Sequence, residues 1–132
     1  MLKRTPVNPS DWSLQYSFNQ GEVFEGVTRH LICAGQVAID ADGGIQHVGD
    51  LPGQMRMALD NVEAVLNGAG MGFDNVVHLT IYTTDIDGVI ENWAVFADRM
   101  AEANVMPPQS LIGVARLAFP ELLIEIEARA AA

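Results

Sequence analysis

Pro107-Pro108-Gln109-Ser110-Leu111-Ile112-Gly113-Val114-Ala115-Arg116-Leu117, with the run Leu122 to Ala128 that follows it, is the stretch whose reading decides the fold. The two prolines cannot continue the helical pattern that ends near Asn104, because proline lacks a backbone N–H and holds the residue before it extended. A strand is therefore expected beyond them. In the second run Leu122, Ile124, Ile126 and Ala128 fall on one side, and Leu123, Glu125, Glu127 and Arg129 on the other. That period-two alternation is the mark of a strand with one buried face, and it turns two carboxylates away from the core.

Working outward, Val76 to Thr84 alternates Val77, Leu79 and Ile81 against His78, Thr80 and Tyr82, a second strand with a polar face. From Pro52, Met55, Leu59, Val62 and Leu66 recur at helical spacing with Arg56, Asp60, Glu63 and Asn67 turned away, and Gly68 or Gly70 ends the helix. Asp85 or Asp87 can cap a second helix marked by Val89, Trp93, Phe96 and Met100. Towards the N-terminus, Pro6, Asn8-Pro9 and Ser10-Asp11 predict an irregular arm over residues 1–13 pinned by Trp12. Leu14 to Gln20 reads as a short strand, Gly21-Glu22 as a turn, and Val23 to Ile39 as strand material interrupted near Gly26 and Gly35. Asp40 to Gly44 reads as a surface loop.

The pattern supports an α+β or α/β domain in which two amphipathic helices cover one face of a mixed sheet. A domain of 132 residues has no further element for the other face, so self-association is expected. One domain spanning residues 1–132 follows from the length. Seven basic against 17 acidic residues give a net charge of −10, which repels phosphate backbones and anionic membrane surfaces. No apolar run reaches the roughly 20 residues of a membrane span, and Thr5 to Gln20 lacks the apolar core of a signal peptide. A cytoplasmic protein binding neither nucleic acid nor membrane is expected.

Candidate chemistry is sparse. There is no phosphate loop and no zinc or serine-hydrolase motif; His30, His47 and His78 are scattered, and no metal is expected. Cys33 is the single cysteine and sits among Leu31, Ile32 and Ala34, where a buried inert thiol is the plainer reading.

Pro107-Pro108-Gln109-Ser110, Val114-Ala115-Arg116-Leu117 and Ile124-Glu125-Ile126-Glu127-Ala128 together resemble the closing signature of the Rid family, the YjgF-like reactive intermediate deaminases. Ala34-Gly35-Gln36, Leu59-Asp60-Asn61-Val62, Gly68-Ala69-Gly70 and Val76 to Asp85 follow the same family in order, from about Tyr16 to the end. The resemblance implies a chorismate-mutase-like fold closed into a homotrimer with clefts between subunits. It also implies hydrolysis of enamines or imines to a ketone and ammonia, with a small-molecule substrate and no cofactor.

By the same resemblance, Glu125 matches the acid that orients the attacking water, Tyr16 the aromatic residue over the substrate, and Asn92 an asparagine near the site. Leu111 offers main-chain groups. Gln109 stands where active members carry an arginine that grips the substrate carboxylate, and Ala34 where the family often has a serine hydroxyl. An amide cannot reproduce the charged fork of a guanidinium. Two readings stay open: a hydrolase acting on an imine, enamine or related carbonyl compound, and a trimer of the same fold that binds a small metabolite or chaperones a partner without turnover.

Overall fold

The computed structural model describes residues 1–132. Its centre is a four-stranded mixed sheet built from β3 (His30–Gln36), β4 (Val76–Thr83), β5 (Gln109–Gly113) and β6 (Ile124–Ala131), in the order β3-β6-β4-β5. β6 runs antiparallel to both neighbours, and β4 and β5 are parallel. The parallel pair requires a crossover, which α2 (Ile86–Glu91) and α3 (Ala94–Glu102) provide. Together with α1 (Leu51–Gly68) they cover one sheet face, giving the expected α+β architecture. No helix is long and apolar enough to cross a membrane.

The alternation in the last strand operates as its chemistry dictates. Ile124, Ile126 and Ala128 are buried under α1, while Glu125, Glu127 and Arg129 stand on the opposite face. That face has no cover of its own: Ile32 is 69% exposed and Ile112 42% exposed. Tyr82 donates a hydrogen bond to Glu127 across it (2.7 Å), which raises the Tyr82 phenol above its ordinary pKa. Burial holds His78 below the usual imidazole range, with Arg129 adding to the effect and Glu127 opposing it. Cys33 is buried on the helix side, and burial raises its thiol pKa.

The N-terminal third departs from expectation. Lys3–Val7 is a strand (β1) paired antiparallel with β2 (Gly21–Glu25), so part of the supposed irregular arm is regular and Gly21-Glu22 opens a strand instead of forming a turn. The pairing is non-local. It tolerates Pro6 because a two-stranded ribbon leaves an N–H side free, and Arg4 locks it through Glu22 (2.7 Å). Leu14–Gln20 is no strand either: Leu14–Tyr16 forms a 3-10 turn ended by Ser17 at φ 65°, with Trp12 packed edge-on against Tyr16 and Phe18.

The second amphipathic helix is broken in two. Asp85 caps α2 by accepting from the Gly88 N–H (2.9 Å), and Asn92 ends it by donating its side-chain amide to the Gly88 carbonyl (2.8 Å). That donor competes with the backbone ladder at the same carbonyl, so the helix restarts at Ala94.

Candidate functional site

β5 is an edge strand, and its free side is where the chain concentrates unusual features. In the parallel ladder the Pro108 carbonyl accepts from Leu79 N–H (3.2 Å) and Val114 N–H donates to Thr83 (2.9 Å). Even-numbered residues therefore turn their main-chain groups towards β4, and Gln109, Leu111 and Gly113 turn theirs to the open edge. The Leu111 N–H and carbonyl thus point to the open edge.

Gln109 and Leu111 pair with Leu79 and Ile81, so their side chains lie on the helix face of the sheet. There they form a cleft of about 270 Å³ with Tyr16, Phe18, Ile90 and Trp93. Trp93 Nε1 donates to the Tyr16 carbonyl (2.8 Å), which fastens the N-terminal turn to the start of α3 and fixes both rings in the wall. Phe96 supports Trp93 edge-on from the core. The Gln109 Oε1 atom is buried and has no hydrogen-bond partner. An unpaired buried carbonyl oxygen costs about 1–3 kcal/mol.

The six expected site residues do not gather in one place. Tyr16, Gln109 and Leu111 line the cleft. Asn92 is close in sequence to Trp93, yet its amide is spent on the Gly88 carbonyl as a helix terminator. Glu125 pairs with Tyr82 on the opposite, uncovered face, where its carboxylate lies against Gly35. Ala34 precedes that glycine and is exposed. Two intervening strand spacings, about 10 Å, and the thickness of the sheet separate Gln109 from Glu125 within a protomer.

Phe18, Ile90 and Trp93 are wall residues that periodicity alone does not reveal. Trp93 reads as core, but Ile90 one helical turn earlier marks a second apolar flank beside the Val89–Phe96 stripe, and that flank is the cleft wall. No group of three or more His, Cys, Asp or Glu side chains is placed to hold a metal ion.

Comparisons with known proteins agree with this architecture. The sequence model of the family described as endoribonuclease L-PSP matches residues 15–132. A RutC family protein of Pyrococcus horikoshii is 35% identical over 98 residues, covering 74% of this chain and 75% of its own. The 2-iminobutanoate/2-iminopropanoate deaminase of Escherichia coli is 32% identical over 99 residues, covering 74% and 76%. A crystal structure of a Rid-family protein of unknown function from Yersinia pestis superposes with a TM-score of 0.85 at 34% identity, over 98% of both chains. With a family match from the 3-10 turn to the last strand and the same fold over nearly the whole chain, this protein belongs to the Rid family of YjgF-like proteins.

Proposed function

We propose that the cleft beneath β5 and the Glu125 carboxylate form one reaction centre assembled from two copies of the chain, and that it hydrolyses an imine, an enamine or a related small carbonyl compound. One observation carries this reading: Tyr16, Gln109 and Leu111 lie on one face of the sheet and Glu125 and Ala34 on the other. No single protomer can bring both sets to one small molecule. A second copy laid with its open face along the free edge of β5 brings Glu125 towards the cleft and buries Ile32 and Ile112. Each copy offers one such edge and one such face, so the contact is head-to-tail, and closing it as a ring gives the homotrimer the family resemblance implies.

In that centre Glu125 takes a proton from water as the water oxygen bonds to the imine carbon. Glu125 passes that proton to the nitrogen, giving a carbinolamine; it then relays the carbinolamine hydroxyl proton to the amine, the C–N bond breaks, and ammonia leaves as the carbonyl forms. Gln109 and the Leu111 main chain orient the substrate, and Tyr16 and Trp93 cover it. The name of the deaminase relative supports this class of reaction. The word endoribonuclease in the family description does not carry over to a chain of net charge −10. A binding-only trimer is favoured by a specific feature, that Gln109 and Ala34 supply neither a cation nor a hydroxyl.

The test is hydrolysis of 2-iminopropanoate, formed in situ through 2-aminoacrylate. Wild type is expected to accelerate it weakly or not at all, and Gln109→Arg to gain about 100-fold, the worth of a charged two-pronged contact of roughly 2.7 kcal/mol. Strong wild-type turnover left intact by Glu125→Ala would reject the role given to Glu125. A lone protomer in analytical ultracentrifugation at assay concentration would reject the shared centre.

A further inference from the structure

We infer that the cleft beneath β5 takes a substrate bearing a bulky apolar substituent of about the size of one ring, and that Ile90 and Trp93 set this preference. The inference rests on the reading of this cleft as the ligand site and narrows what that site accepts. Five of its six lining residues, Tyr16, Phe18, Ile90, Trp93 and Leu111, are aromatic or aliphatic, and none is charged. The indole N–H of Trp93 is already given to the Tyr16 carbonyl (2.8 Å), so the indole meets a ligand through its apolar ring alone. The volume of about 270 Å³ falls just below the roughly 300–1,000 Å³ of pockets for drug-sized ligands, which leaves room for one ring and a short polar head.

The walls are fixed before a ligand arrives. Trp12 stands edge-on to Tyr16 and Phe18, with centroids 6.5 and 5.5 Å apart, and Phe96 stands edge-on to Trp93 at 5.2 Å. An apolar group therefore enters without ordering its surroundings. Tyr16 is 44% and Ile90 54% exposed, surface that a ring would take out of water. The sheet face carrying Glu125 does not fill this hollow when a second copy brings it near, because Tyr82, Thr80 and Glu127 surround Glu125 there. The reacting end of the substrate then lies towards that polar face, and the apolar end between Ile90 and Trp93. A methyl substituent leaves the walls bare. A phenyl ring that hides on the order of 80 Å² of apolar surface is worth about 30-fold.

The test compares kcat/KM for 2-imino-3-phenylpropanoate and 2-iminopropanoate, each formed in situ from its amino acid, in wild type and in Gln109→Arg. The two differ only by the ring, and a ratio of about 30 in favour of the phenyl compound is expected. Calorimetry with phenylpyruvate and pyruvate reads the same preference as affinity, independent of turnover. Ile90→Asp sets a charge in the wall and should cut the ratio to about threefold or less. Val23→Asp adds the same charge at an exposed position of β2 outside the lining and should leave the ratio unchanged. Equal kcat/KM for the two imines, or a ratio that survives Ile90→Asp, overturns the inference and leaves the reaction reading intact. No turnover in either protein, with phenylpyruvate still bound more tightly than pyruvate, overturns the reaction reading and upholds the inference. If neither imine is turned over and neither ketone binds, the cleft is not the ligand site and both readings fall.

Discussion

Replacing Gln54 by leucine is expected to lower the unfolding free energy by about 3 kcal/mol, although leucine is the more apolar residue and Gln54 is completely buried. The side chain projects from the first turn of α1 and makes three hydrogen bonds to main chain. Its Nε2 donates to the carbonyls of His47 (3.2 Å) and Glu121 (2.9 Å), and its Oε1 accepts from Leu123 N–H (2.8 Å). The Leu123 carbonyl is held in turn by the Thr83 hydroxyl (2.7 Å). Leucine fills the space and strands three polar groups, each worth about 1–3 kcal/mol when desolvated, with some recovery where water reaches Glu121 and His47. The urea midpoint should fall with little change in slope. Because the clasp sets how the chain enters β6, Gln54→Leu should also broaden the amide resonances of residues 121–125. A loss under 1 kcal/mol would show that the three groups find other partners.

Gln54 also marks where sequence reasoning stops. Burial by period is legible because every second or every fourth residue feels the same side of its own element, which is why β6, β4 and α1 can be read directly from Leu122 to Arg129, Val76 to Thr83 and Met55 to Leu66. A polar residue at the start of a helix carries no local sign that two distant loops will close over it. The β1–β2 ribbon escapes the same way, since Lys3 to Val7 becomes a strand only through Glu22 and its neighbours. The break at Asn92 depends on one side chain reaching one carbonyl, a contact that hydropathy does not register.

For the site, the sequence brings Gln109, Leu111, Tyr16 and Glu125 forward as individuals. Their division between two sheet faces follows from register, Gln109 against Leu79 and Glu125 against Tyr82, and register between distant strands is not written in either strand alone.

Gly35→Ala is expected to reduce turnover by about 100-fold while leaving the fold nearly as stable as before. Gly35 lies where the β3–β6 register shifts, between Cys33 and Gln36, and no left-handed φ demands glycine there. What it supplies is room. A methyl group at this position would come within 2.5 Å of Glu125 Oε2 and 2.6 Å of its Cδ, closer than such atoms can approach. The obstacle is a half-exposed side chain, so rotation of Glu125 relieves the clash at a stability loss under about 1 kcal/mol. If Glu125 handles the attacking water, however, that rotation moves the carboxylate by about 1 Å or more, enough to cost roughly 100-fold in rate. The measurement is kcat on 2-iminopropanoate in the Gln109→Arg background, beside Glu125→Ala, expected to lose 100- to 10,000-fold as an absent general base does, on the order of 3–5 kcal/mol. Glu127→Gln serves as the companion: Glu127 shares the face of Glu125 but is occupied by the Tyr82 hydroxyl, and its loss should change the rate less than threefold. Full turnover in Gly35→Ala would mean that the carboxylate does not act from where it lies against Gly35, and an effect of Glu127→Gln equal to that of Glu125→Ala would transfer the water-handling role to the Tyr82–Glu127 pair.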